Sequence, residues 1–134
     1  MTPVLRIVAA VVLDDRNRVL VVRKRGTSAF MQPGGKIEPG ELPLEALVRE
    51  VREELGTGVV ESTARALGRF TAAAANEPDH VVDAELFFIT LDGQPRAASE
   101  IEEIAWIDPH EPDGVELAPL TVHPVLALAR EGVS

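Results

Sequence analysis

A mixed β-sheet sandwiched between helices, an α/β/α architecture, is what this chain of 134 residues points to, on three observations. Runs rich in β-branched residues recur between polar, turn-prone segments. Residues 43–55 carry apolar spacing of helical period with helix punctuation at both ends. A second helical stretch closes the sequence. The length matches about one domain at a prior of ~150 residues, and no repeat, low-complexity tract or linker interrupts it, so residues 1–134 read as a single domain.

Val4 to Leu13 reads as a strand, and Val19-Leu20-Val21-Val22 follows after Asp14-Asp15-Arg16-Asn17-Arg18, so the two are expected to pair as a hairpin. The longest apolar run, Ile7 to Leu13, is far short of a membrane span and lacks a small-residue cleavage site, which favours a buried strand over a signal peptide. Leu44, Val48, Val51 and Leu55 fall within an arc of roughly 60° on a helix. Pro43 suits its first position and Gly56 the left-handed residue just beyond its end. Extended segments are expected at about 58–71 and 80–91, the second ending at the turn Asp92-Gly93-Gln94-Pro95. A short strand over Ile104 to Asp108 and a Pro- and acid-rich loop from Pro109 to Pro119 precede a terminal helix, Thr121 to Arg130.

The chain has no cysteine, which excludes disulfides, thiolate zinc sites, iron–sulfur ligation and a cysteine nucleophile, and is compatible with a reducing compartment, the cytoplasm being the default. A formal charge of −9 argues against nucleic acid or anionic membrane as partner. The charge is also uneven: residues 1–70 balance at +2 and residues 71–134 at −11. A phosphate group would therefore be held by the first half, or through a cation.

One feature of the helix works against its own stability. Glu50, Glu53 and Glu54 cluster in an arc of roughly 100° beside the apolar face. Like charges at these spacings cost ~0.2–0.5 kcal/mol per pair, and acids in the last turn oppose the helix dipole. A solvated face with Arg49 and Arg52 as counter-charge is the bland explanation. Immediately upstream, however, Pro33-Gly34-Gly35-Lys36 leads through Glu38, Gly40 and Glu41 into the helix. A glycine turn with accessible backbone next to clustered carboxylates suits a hard cation such as Mg²⁺ or Mn²⁺. His80, His110 and His123 are scattered, so zinc is disfavoured.

Gly35, five residues, Glu41, seven residues, then Arg49-Glu50-Val51-Arg52-Glu53-Glu54-Leu55-Gly56 resembles the Nudix box, G-x5-E-x7-R-E-U-x-E-E-x-G-U, at every position but the last, where Thr57 stands for an apolar residue. The flanks are similar to MutT-like Nudix hydrolases too, with Phe30 before Pro33 and Trp106 in a late strand. The resemblance implies a Nudix fold and hydrolysis of a nucleoside diphosphate linked to another group, with Mg²⁺ or Mn²⁺ as cofactor and a small-molecule nucleotide or other diphosphate as partner. A homodimer is common in that fold.

Carried over residue by residue, the resemblance makes Glu50, Glu53 and Glu54 metal ligands together with the Gly34 carbonyl. Arg49 orients the glutamates by ion pairing, and Gly35 and Glu41 support the loop. The general base is either a box glutamate such as Glu53 or an acid outside the box, for which Glu100 has the right spacing before Trp106. A merely hydrated acidic loop over Ser99 to Glu103 is the competing explanation. Arg23, ahead of Lys36 and Arg25, is the preferred phosphate-holding cation. Phe30 either stacks on a base or belongs to the core, and Gln32 either bonds a base edge or faces water. Glu85 is placed on the face of its strand that could reach the pocket. Leu42 at the helix N-cap lacks the usual hydrogen-bonding side chain, a deficit of about 1 kcal/mol.

Subfamily markers are absent: no proline follows the box by some fifteen residues as in ADP-ribose hydrolases, and no tyrosine exists to mark a dinucleoside polyphosphate hydrolase. A nucleoside triphosphate, including oxidised or non-standard ones, is then the expected substrate, with a nucleotide sugar or other diphosphate as alternative. The rival readings are a catalytically idle nucleotide-binding module, which would be expected to have lost box glutamates, and an acidic domain docking a basic partner.

Overall fold

The computed structural model describes residues 2–132. Strand β1 (Val4–Val11) runs between β3 (Gly34–Lys36) and β5 (Val81–Phe88), with β4 (Arg65–Ala73) at the far edge of this four-stranded sheet. β1 and β5 are parallel in register from Val4 opposite Val81 to Val11 opposite Phe88, and the other pairings are antiparallel. A second, two-stranded antiparallel sheet joins β2 (Val19–Lys24) to β6 (Ile101–Ile107). Helix α1 (Pro43–Leu55) packs on one side of these sheets and α2 (Leu126–Glu131) on the other.

Alternation along the strands explains this layering. Along β1 and the residue after it, Ala9 and Val11 join a cluster with Leu120, Val125 and Leu126, while Val8, Ala10 and Val12 join Ala46, Leu47, Val51 and Leu55 of α1. β2 divides likewise, Val19 and Val21 to the first cluster, Leu20 and Val22 to the second. A strand buried on both faces needs an uninterrupted apolar run, which is what these two segments carry.

Several expectations need correction. The hairpin closes only at its tip, through the Leu13–Val19 bridge and the Leu20 N–H to Val12 carbonyl bond of 3.0 Å. Its arms then part into different sheets, because each must bury both faces between helices. Strand β3, read from sequence as a glycine turn, pairs with β1 at Val8–Gly35 and Ala9–Gly34. Segment 58–71 begins with a 3₁₀ turn at Glu61–Thr63, leaving β4 to start at Arg65. β6 starts at Ile101, so Glu102 and Glu103 lie on a strand and not in a loop; they pair with Arg25 and Arg23. The terminal helix is broken at His123, whose φ −149° and ψ 123° are extended, and α2 follows from Leu126.

Helix α1 itself is where the sequence places it, with Gly56 left-handed at φ 68° past its end. Its buried stripe is turned by roughly 65° from the expected one. Ala46, Leu47, Val51, Glu54 and Leu55 are buried, whereas Leu44 and Val48 are only half-buried. One of the acids therefore lies inside the packed face.

Candidate active site

A cleft of about 620 Å³ opens beside the edge of the four-stranded sheet. Its charged lining comes from Lys24 at the end of β2, Lys36 of β3 beside Gly34 and Gly35, Glu38 of the loop that follows, Arg49, Glu50 and Glu53 of α1, Glu77 of the loop after β4, and Glu100 just before β6. Aliphatic residues of β1, Val82 of β5 and Leu120 complete it.

The two glycines of β3 are there for different neighbours. A Cβ on Gly34, whose φ is 151°, would lie 2.1 Å from the Val8 carbonyl oxygen. A Cβ on Gly35 would lie 1.9 Å from Glu50 Oε2, so the Glu50 carboxylate rests directly against the bare backbone of β3. The glycine turn and the helix acids of the sequence are thus in contact.

The three helix acids occupy different environments. Glu54 is 3% exposed, and the Gly34 N–H donates to its Oε1 at 3.1 Å. Burial pushes the Glu54 carboxyl up to about 8, against the lowering effect of the Gly34 N–H. Glu50 is half-buried and pushed up to about 7, first by burial, then by the hydrogen bond and charge of Glu53, with Arg49 and Lys24 opposing. The Glu53 side chain is 54% exposed.

Among the described residues, no three acidic or histidine side chains gather closely enough to enclose an ion as they stand. Glu54 is turned to the Gly34 N–H and Glu53 outward. The donor set nevertheless fits a hard divalent cation. It is all oxygen, and two of its carboxylates are pushed up toward neutrality by burial that Arg49, Lys24 and the Gly34 N–H only partly offset. No helix among the described residues is long and apolar enough to cross a membrane.

Arg49 does more than face the glutamates. Its Nε and Nη2 donate to the two Glu41 oxygens at 2.7 and 2.9 Å, and Nη2 also reaches the Lys36 carbonyl at 3.2 Å. Glu50 and Glu53 are farther from its Nη1, at 3.5 and 3.9 Å. The bidentate partner holds the Glu41 carboxyl down at about 2. Arg49 and Glu41 thereby tie the loop between β3 and α1 to the helix.

The substrate-side residues divide. Lys36 and Gln32 line the cleft, whereas Arg23 and Phe30 do not. Arg23 pairs with Glu103 at 2.9 Å and donates to the Thr27 carbonyl at 2.8 Å, with its guanidinium 6.0 Å from the Phe30 ring centroid. Phe30 is buried in the cluster beneath α2. Gln32 does not face water: it is buried, its Nε2 donating to the Ala10 carbonyl at 2.9 Å and its Oε1 accepting from the Thr121 hydroxyl at 3.0 Å. Glu85 pairs with Arg6 at 3.0 Å and is not part of the lining.

Lys24 takes the place expected of Arg23, 3.5 Å from Glu100. Neighbours on a strand point to opposite faces. A two-sided apolar strand gives no sign of which face meets the cleft, so the sequence offers no signal that separates Lys24 from Arg23.

The NUDIX domain family model matches residues 3–127. The chain belongs to the Nudix family. Its Nudix fold is shared by the MutT protein from Methanosarcina mazei, with a TM-score of 0.76 at 22% identity over 99% of this chain and 98% of that one. A MutT Nudix hydrolase from Burkholderia pseudomallei is similar, with a TM-score of 0.74 at 20% identity over 98% of both chains. In sequence, this Nudix protein is 33% identical over 90 residues to the 8-oxo-dGTP diphosphatase of Proteus vulgaris, covering 64% of this chain and 76% of that protein. It is 26% identical over 100 residues to the ADP-ribose pyrophosphatase of Methanocaldococcus jannaschii, covering 72% of this chain. The matched region spans 58% of that relative's length, and 28% of the RNA pyrophosphohydrolase of Halorhodospira halophila.

Proposed function

We propose that this Nudix protein is a metal-dependent pyrophosphohydrolase of nucleoside diphosphate derivatives, with a nucleoside triphosphate, cleaved to monophosphate and pyrophosphate, as its substrate. The observation that carries this reading is the charge frustration of the α1 acids at a cleft also lined by Lys24, Lys36 and Arg49. Glu54 is buried and Glu50 half-buried, both raised toward neutrality, a cost that a binding module gains nothing from. Resemblance to an 8-oxo-dGTP diphosphatase supports the choice of a triphosphate.

Glu50, Glu53 and Glu54, with the Gly34 carbonyl, would hold Mg²⁺ or Mn²⁺. When bound, the ion neutralises phosphate charge, polarises the phosphoryl oxygens and acidifies water. Lys24 and Lys36 pair with the phosphate oxygens of the substrate. Water attacks phosphorus, the bridging P–O bond breaks, and pyrophosphate leaves with the bond's electron pair. The water's proton passes to Glu53 or Glu100, two lining carboxylates that remain substantially exposed beside Glu50 and Lys24. Arg49 contributes by holding Glu41 and the loop, so that β3 stays against Glu50.

The test is phosphate release, coupled to added pyrophosphatase, from a panel of nucleotides with Mg²⁺ or with chelator. Turnover is expected only with metal, and Glu53→Gln should lower it at least 100-fold while melting as the parent does. Turnover that survives chelation, or full activity in Glu53→Gln, overturns the proposal.

A further inference from the structure

Helix α1 brings Glu50 and Glu53 to the cleft, with Glu54 buried behind them against the Gly34 N–H, and Glu100 arrives from a distant part of the sequence. The segment between β5 and β6 fixes how these two sources meet. The Thr57 hydroxyl and the Gly58 N–H both donate to Asp92 Oδ1 at 3.1 Å, and the Asp92 N–H returns a bond of 3.1 Å to the Gly58 carbonyl. Farther along, the Arg96 N–H donates to the Leu55 carbonyl and the Ala98 N–H to the Glu54 carbonyl, each at 3.0 Å. Residues 92–98 therefore strap the end of α1, satisfying last-turn carbonyls that no intrahelical donor reaches. Glu100 follows Ala98 by two residues.

The strap lies flush on the helix end. A Cβ on Gly56 would stand 2.8 Å from Arg96 Nε, and one on Gly58 would stand 2.7 Å from Asp92 Oδ2. Thr57, the position where this chain departs from the Nudix box, is buried. A buried hydroxyl is costly without a partner, and Asp92 supplies it. Thr57 and Asp92 thus pair at the position where this chain departs from the box.

We propose that Asp92, through Thr57 and Gly58, is a positioning residue that holds Glu100 in register with the acids of α1. The proposal rests on the hydrolase reading above. Asp92 does not itself line the cleft, so its effect passes through the strap.

Asp92→Ala removes the acceptor, whereas Asp92→Asn keeps an oxygen for both donors. Displacement of about 1 Å at a reacting group costs up to 10²-fold. Asp92→Ala is expected to lower kcat about tenfold with KM within twofold, and to shift the Mn²⁺ concentration for half-saturation upward severalfold in calorimetry without substrate. Asp92→Asn should restore both to within threefold of the parent. Thr57→Val, which retains the Gly58 bond, should move them in the same direction by less, and serves if Asp92→Ala does not fold. A purely stabilising role would lower the melting temperature and leave kcat per folded molecule and Mn²⁺ saturation unchanged. That result, or an Asp92→Asn as impaired as Asp92→Ala, overturns the proposal. Should the parent show no metal-stimulated turnover, the hydrolase reading fails; a parent that turns over alongside an unaffected Asp92→Ala sinks only the positioning role.

Discussion

Replacing Glu54 by Gln should make the metal-free protein more stable, and only at high pH. The buried Glu54 carboxyl is raised to about 8 in the folded chain against an ordinary 4.5. Between these values the folded state keeps a proton that the unfolded chain has lost, so stability falls as pH rises, by up to ~1.4 kcal/mol per pH unit from this group. The full stability is present below pH 4.5 and gone above pH 8, where a shift of about 3.5 units costs roughly 3–5 kcal/mol. Gln keeps the acceptor for the Gly34 N–H and carries no charge to bury. In chelator, the two chains should melt together at pH 5. At pH 9 Glu54→Gln should melt higher by on the order of 10 °C, given an unfolding entropy of ~0.28 kcal/mol/K for this length. Glu50 titrates in both chains and largely cancels. Adding Mg²⁺ at pH 8 should raise the parent's melting temperature more than the variant's. Melting curves that stay parallel across pH would refute the account of Glu54 as an uncompensated buried charge.

Two further substitutions test local geometry. Leu42→Thr supplies the missing half of a capping box in which the Leu42 N–H already donates to Glu45 Oε1 at 2.9 Å. It should stabilise by ~0.5–1 kcal/mol, a rise of roughly 2–4 °C in melting temperature, with unchanged activity. Gly34→Ala and Gly35→Ala should separate folding from chemistry. The first drives a Cβ into the backbone of β1 and should prevent stable folding, while the second meets only the end of the Glu50 side chain, and should melt within a few degrees of the parent yet lose at least tenfold in kcat.

What the sequence made legible was what short-range spacing encodes. Apolar period with Pro43 and Gly56 bounded α1, and the box named the acids, because a bounded helix and a motif are local. β3 escaped because three residues, two of them glycine, carry no alternation; its existence depends on β1 accepting a backbone partner. The hairpin was misjudged for the opposite reason, since two-sided apolar strands announce burial but not which neighbour they choose. The burial of Glu54 was hidden by the approximation that a carboxylate belongs on the solvated side of an amphipathic helix. Arg23 and Lys24 show the limit most plainly, for a single step along β2 decides which of two cations reaches the cleft.

The uneven charge of the chain bears on how an anionic substrate arrives. Five of the eleven cations of the first half are paired with acids of the second: Arg6 with Glu85, Arg23 with Glu103, Lys24 with Glu100, Arg25 with Glu102, and Arg69 with Asp83. Of the three cations lining the cleft, Lys24 and Arg49 are paired with acids, and Lys36 has no ion-pair partner among the described residues. A polyphosphate therefore approaches a molecule of net charge −9 whose cleft cations are in part already paired. Long-range repulsion slows encounter, and salt screens it, the Debye length falling from ~30 Å at 0.01 M to ~8 Å at 0.15 M. At fixed free Mg²⁺, kcat/KM for a nucleoside triphosphate should consequently rise between 0.01 and 0.15 M salt while kcat changes little, the reverse of an enzyme that steers its anion with a basic surface. Lys36→Ala should raise KM and leave that slope in place, because it removes a contact at the site and not the field of the whole chain. A kcat/KM that falls with salt would mean the cleft presents more free positive charge than these pairings allow.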